Sequence, residues 1–174
     1  NILHYRTWPS DAYQGKALAK FTLKELKHSR AAIVSINNDY GIGLQQEFRR
    51  SFEQEGGEIL TTEGFDPGTT DFRTLITKLI SINPPVVLLA SHYRESALFL
   101  KQAKELNFFP IFIGGDGNFA PDLIKLSGGG AEGMYVSNLY WDPNSDDPLV
   151  RKFVDTFRSS YGKDPEVYGA AGYD

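Results

Sequence analysis

The chain has 174 residues, 41% of them apolar and 13% aromatic, which suits one domain with a real core, or one plus part of a second. Its net charge is -4 and its pI about 5.4, which argues against a nucleic-acid surface, and no apolar run approaches the roughly 18 residues of a membrane span. Cysteine is absent, which removes thiol catalysis, cysteine metal sites and disulfides. The chain starts at Asn1 with neither an initiator Met nor a signal peptide, and the expectation is an excised piece of a longer protein.

Residues 1–10 read as a short strand-like run ending in Trp8-Pro9, and Ser10 or Asp11 can cap the helix that follows. That helix runs to about Lys27, with Leu18, Ala19, Leu23 and Leu26 at helical spacing. Ala31–Ile36 is a strand apolar on both faces, as in the middle of a parallel sheet. Asn37–Tyr40 is a polar turn, Gly41 and Gly43 follow, and a helix then carries Leu44, Phe48 and Phe52 on one face before stopping at Gly56-Gly57.

Glu58–Gly64 is a β-branched second strand, and Phe65–Thr70 a turn with Pro67 and Gly68. A helix from about Asp71 to Ile82 places Phe72, Leu75, Ile76, Leu79 and Ile80 in one stripe, and Asn83-Pro84-Pro85 breaks it. Val86–Ala90 is the third strand, and Ser91–Arg94 the loop at its end. The helix Glu95–Leu106 turns Ala97, Leu100 and Ala103 inward. Strand four is Ile111–Ile113, ending in Gly114-Gly115-Asp116-Gly117. A short helix near Pro121–Leu126 leads through three glycines to strand five, Met134–Ser137. Asp142–Asp147 is a polar linker. The helix Pro148–Tyr161 carries Leu149, Val150, Phe153, Val154 and Phe157, and a further helix begins near the chain end. Strands alternating with helices through long connections predict an α/β fold with a parallel sheet and right-handed crossovers.

In such a sheet, ligands bind beyond the carboxyl ends of the strands, so the loop Asn37–Gly43 is the first place to look for function. A dinucleotide fingerprint needs GxGxxG, and here the third glycine is missing while Tyr40 blocks close backbone approach. There is no P-loop and no nucleophile elbow. Asp142, Asn144 and Asp146 imitate an EF-hand start, but its sixth position is Asp147 and its twelfth Phe153. Asp39 and Asp116 make a poor match to a phosphoacceptor site. No cofactor or metal is expected. What remains is a set of strand-end loops offering rings and one carboxylate: Tyr40, His92, Tyr93 and Asp116. That set suits a small solute whose apolar part meets a ring and whose cation meets Asp116. The competing reading of each residue is local: Tyr40 packs over the sheet edge, His92 and Tyr93 are surface loop residues, and Asp116 caps a helix or braces a turn.

At these loops the chain resembles the type I periplasmic solute-binding proteins, the Leu/Ile/Val-binding group of ABC importers, and the related receptor ligand-binding regions. The stretches that carry the resemblance are Arg6-Thr7-Trp8-Pro9-Ser10-Asp11 with Gln14-Gly15; Ala32-Ile33-Val34 with Asp39-Tyr40-Gly41; Thr70-Asp71-Phe72 with Leu75 and Leu79; Asn83-Pro84-Pro85-Val86-Val87; Gly114-Gly115-Asp116-Gly117; Ala131-Glu132-Gly133; and Tyr173-Asp174. Their order and spacing are shared over nearly the whole chain.

The resemblance implies a flavodoxin-like αβα lobe of a two-lobed protein that traps solute between its lobes. Residues 1–10 correspond to the end of lobe one and a crossover, 11–140 to the second lobe, and 141–174 to a crossover and an incomplete return to lobe one. It implies ligand-binding roles for Tyr40, for His92 with Tyr93 beside it, for Asp116 as the acid that meets an α-ammonium, and for Tyr168 on the return segment. Asp where branched-chain binders often have Glu, and His92 where they often have Tyr, mark departures from that pattern. The implied function is non-enzymatic: an extracytoplasmic solute-binding protein, periplasmic or a cell-surface lipoprotein, which hands an amino acid or similar solute to the membrane permease of an ABC importer. The alternatives are a ligand-sensing domain of a membrane receptor and, disfavoured, a small α/β enzyme. No nucleic-acid partner is expected, and self-association of the fragment is.

Overall fold

A computed structural model describes residues 8–173. The strand-like run predicted before Trp8 lies outside the described residues. The chain divides into two compact units: Ser10–Asn138, and a second formed by the segment ending at Pro9 with the segment starting at Leu139.

The first unit is a five-stranded parallel sheet made of β1 (Arg30–Ile36), β2 (Glu58–Phe65), β3 (Val86–Ala90), β4 (Ile111–Gly114) and β5 (Tyr135–Val136), in the order β2-β1-β3-β4-β5. Its helices are α1 (Asp11–Lys24), α2 (Asp39–Gln54), α3 (Arg73–Ile82), α4 (Tyr93–Glu105) and α5 (Pro121–Leu126), with a single 3-10 turn at Asp116–Asn118. The α/β class, the parallel sheet and the element order are those expected from the sequence. β1 and β3 are apolar on both faces because both faces are covered.

The handedness of the crossovers decides which helix covers which face. From β1 the chain goes to one side through α2 to reach β2. It then returns past β1 through α3 to β3 and continues through α4 and α5. Two core clusters result. Ala32, Val34, Val87, Leu89 and Phe112 meet Phe72, Ile76, Leu79 and Leu100 on the α3–α5 face. Ala31, Ile33, Val86, Leu88 and Ile113 meet Leu44, Phe48 and Phe52 of α2 and Leu18 and Ala19 of α1 on the other. Helix α1 thus fills the face that α2 alone leaves open. The two helices can approach closely because Gly15 has no side chain; a Cβ there would lie 2.6 Å from that of Glu47.

Several details differ from the sequence reading. α2 begins at Asp39, capped by the Asn38 side chain, which accepts the Gly41 N–H at 2.9 Å. Tyr40, Gly41 and Gly43 therefore belong to its first turns rather than to a preceding loop, because an Asn N-cap satisfies a helix-start donor two or three residues downstream. Likewise α4 begins at Tyr93, with His92 as N-cap. Ile80, expected in the buried stripe of α3, is 42% exposed, because the last turn of α3 borders an open hollow with Pro84, Pro85 and Phe109.

The second unit contains α6 (Pro148–Tyr161) and α7 (Val167–Tyr173). α6 starts on Asp147, whose side chain accepts the Leu149 N–H, and ends on Gly162 at φ 67. Phe153 and Val154 are buried, and Trp141 packs edge-on against Phe153 while its Nε1 donates to the Pro165 carbonyl at 2.9 Å. Leu149, expected on the apolar face, is 78% exposed: it borders a hollow of about 530 Å3 with Tyr140, Trp141 and Ala170. Among the described residues no helix is long and apolar enough to cross a membrane.

Candidate functional site

In this strand order the chain reverses direction between β1 and β3, so a crevice opens beyond their carboxyl ends. Two of the expected rings come from these two strand ends. Tyr40 lies two residues into α2, after β1, and His92 caps α4, after β3. Their rings stack, with centroids 4.9 Å apart and planes 18° from parallel.

Gly41 brings α2 into this crevice. A Cβ at that position would lie 2.2 Å from the Ile36 carbonyl oxygen and 2.9 Å from that of Ala90. Only glycine lets the first turn of α2 rest on the ends of both β1 and β3, which fixes where Tyr40 points.

The third strand end, after β4, receives the Tyr40 ring. A Cβ on Gly115 would sit 2.6 Å from Tyr40 Oη, and one on Gly117 would sit 2.9 Å from the ring. The two glycines leave a notch, and the phenol occupies it. Its hydroxyl donates to Asp116 Oδ1 at 2.9 Å and accepts the Gly117 N–H at 3.0 Å. Burial pushes the Tyr40 phenol well above its ordinary range, and the neighbouring Asp116 carboxylate pushes it the same way. The phenol stays neutral and the hydrogen stays on its oxygen, which makes it a dependable donor to Asp116.

A frame of buried amides holds this arrangement. Gln14, on α1, accepts the Asp116 N–H at 3.0 Å and the Ser137 hydroxyl at 3.2 Å, so it ties the end of β4 to the end of β5. Asn118 donates from Nδ2 to the Leu89 and Ser91 carbonyls at 3.0 and 3.1 Å, which ties the end of β4 to the end of β3. The Ser91 and Ser96 hydroxyls, 2.6 Å apart and buried, brace the first turn of α4 behind His92. The sequence reading assigned none of these a role in the site. Gln14 had one available signal, a polar residue one turn before Leu18 on the inward face of α1. Asn118 had none, because its partners are backbone carbonyls at the end of another strand.

The five expected site residues therefore separate. Tyr40, His92 and Asp116 come together at the β1/β3/β4 end. Tyr93 packs against the α3–α5 core cluster, whereas Tyr40 packs against the α1–α2 cluster, and the Arg94 guanidinium lies 5.7 Å over the Tyr93 ring and donates to its hydroxyl at 3.1 Å. Tyr168 belongs to the second unit, where it stacks on Trp8 with centroids 4.8 Å apart. Among the described residues, no group of three His, Asp or Glu side chains could hold a metal ion. Chemically the trio offers an imidazole and an acid, with the phenol engaged in the notch and no nucleophile beside a base. It is equipped to hold a small polar molecule.

Residues 2–174 match the model of the periplasmic binding protein family, and the chain belongs to that family. The family is one of binding proteins rather than enzymes, and the fold is that of its type I members. Among curated relatives, the leucine-specific-binding protein of Salmonella typhimurium is 33% identical over 132 residues, 76% of this chain and 36% of the relative. The leucine-, isoleucine-, valine-, threonine- and alanine-binding protein of Pseudomonas aeruginosa is 28% identical over 165 residues, 94% of this chain and 43% of the relative. A solved leucine-binding protein from Thermotoga maritima superposes with a TM-score of 0.81 at 32% identity, over 94% of this chain and 47% of its own. The chain thus spans less than half the length of these proteins.

Proposed function

We propose that this chain carries most of the second lobe of an extracytoplasmic solute-binding protein of an ABC importer, whose solute is an amino acid or a similar small molecule. On this reading residues 1–10 end lobe one, 11–140 form the second lobe, and 141–174 begin the return to lobe one. The observation that carries the proposal is the Tyr40–His92–Asp116 group at the β1/β3 switch point: two stacked rings beside a carboxylate held in place by a neutral phenol. The relatives' names, which speak of leucine and other amino acids, support the same solute class.

Asp116 is the proposed partner of the solute ammonium, an ionised hydrogen bond of the stronger kind. His92 is the ring against the solute. Solute bridging two lobes stabilises the closed state in proportion to its preference for that state. The closed protein then meets the permease, outside the cytoplasm. The chain by itself offers one wall of such a site, so it binds amino acids weakly or not at all.

Isothermal titration of the intact protein against amino acids, amides and aromatic acids tests this. Saturable binding is expected, and Asp116→Asn, which keeps the shape and removes the charge, weakens it by about tenfold or more. No binding across the panel, or an Asn variant that binds as well, overturns the reading.

A further inference from the structure

The two stacked rings are not equally available. Tyr40 is engaged on every polar atom: its hydroxyl donates to Asp116 and accepts from Gly117. Its edge lies in the notch left by Gly115 and Gly117, and one of its faces lies against His92. His92 is exposed, and among the described residues neither of its ring nitrogens has a hydrogen-bond partner. As N-cap of α4 it makes no side-chain capping bond, so the ring is oriented by the stack and its nitrogens remain unused.

From this asymmetry we infer that His92 selects the solute: the lobe takes a solute whose side chain carries an oxygen acceptor, an amide or a carboxylate, in preference to an aliphatic one of the same size. The inference rests on the solute-binding reading above and names the class of solute within it. A neutral imidazole carries one N–H donor and one acceptor nitrogen. Solute seated against the exposed ring displaces the water that serves that N–H. An aliphatic chain leaves the donor without a partner, whereas an amide or carboxylate oxygen replaces the lost bond. A site that hydrogen-bonds its solute rejects an analogue lacking the acceptor far more strongly than an apolar pocket rejects a small change of size. Tyr40 cannot take this role, because its hydroxyl is already satisfied on both sides.

Titration of the intact protein with glutamine, glutamate and norleucine, which has similar length and no side-chain acceptor, tests the inference. The wild type is expected to bind glutamine or glutamate at least about tenfold tighter than norleucine, about 1.4 kcal/mol. His92→Phe keeps an aromatic ring to stack on Tyr40 and removes the N–H; it is expected to abolish that preference. His92→Gln keeps a donor and is expected to retain part of it. Because His92 is exposed, both variants are expected to melt within a few degrees of the wild type. A wild type that favours norleucine or leucine, or a Phe variant with an unchanged ratio, overturns the inference while leaving the solute-binding reading intact. Absence of binding to every solute overturns both.

Discussion

At the scale of single residues, Tyr40 has two jobs that pull on the same atom. Its hydroxyl fixes the Asp116 carboxylate and caps the Gly117 amide, and its burial makes ionisation costly. Removing the oxygen in Tyr40→Phe leaves that amide and one carboxylate lone pair unserved, a loss of about 1 to 3 kcal/mol at neutral pH. The pH dependence has a definite sign. An unfolded tyrosine ionises near pH 10, about its ordinary value, while the folded one holds its proton to higher pH. The unfolded state therefore binds fewer protons above about pH 10, and stability falls as pH rises through that region. Urea titrations at pH 8 and pH 11 are expected to show the wild type losing more stability between the two than Tyr40→Phe does. Equal losses would mean that Tyr40 does not carry the alkaline limb.

At the scale of elements, the decisive contact is the first turn of α2 on the ends of β1 and β3. Two glycines occupy that turn, and they do different things. Gly41 faces backbone: a methyl there meets the Ile36 carbonyl at 2.2 Å. Gly43 faces only the tip of Asp11, 3.2 Å away, which a side chain can relieve by turning. Gly41→Ala is therefore expected to cost about 3 kcal/mol or more, the upper end of overpacking, because strand ends cannot move aside cheaply. Gly43→Ala is expected to stay within about 1 kcal/mol of wild type, since the better helix propensity of alanine offsets the crowding. Chemical denaturation of the two variants measures this. If both fell equally, the close approach of α2 to the sheet would not be what holds the turn.

At the scale of the whole molecule, the second unit leaves apolar surface uncovered. Tyr140 is 89% exposed and Leu149 78% exposed, and both border the hollow of about 530 Å3 beside α6 and α7. Exposed apolar surface of this kind drives association in water. The 174-residue chain is expected to self-associate with rising concentration, and Leu149→Glu to weaken that association. Sedimentation or light scattering at several concentrations reads this directly; a wild-type chain that stays monomeric throughout removes the expectation.

Much of the architecture was legible in the residues. Apolar runs such as Val86–Ala90, too short for a helix and bounded by Asn83-Pro84-Pro85 and by a polar loop, read as strands buried on both faces. The intervening stripes at helical spacing can only be helices lying over them, and helix propensity and apolar period are local properties that one chain displays by itself. That Tyr40, His92 and Asp116 deserved attention was also legible, because each sits just past an apolar strand. What the residues could not say is which of them meet. The order β2-β1-β3-β4-β5 is set by long-range pairing, and it alone makes the ends of β1 and β3 neighbours, stacks His92 on Tyr40 and sends Tyr93 to the opposite face of the sheet. The same order gives Gly115 and Gly117 their meaning as a seat for a ring from a helix more than seventy residues earlier, and Gln14 and Asn118 theirs as ties between strand ends. Those contacts depend on distances across the sheet, and no pattern along the chain encodes a distance between residues that far apart.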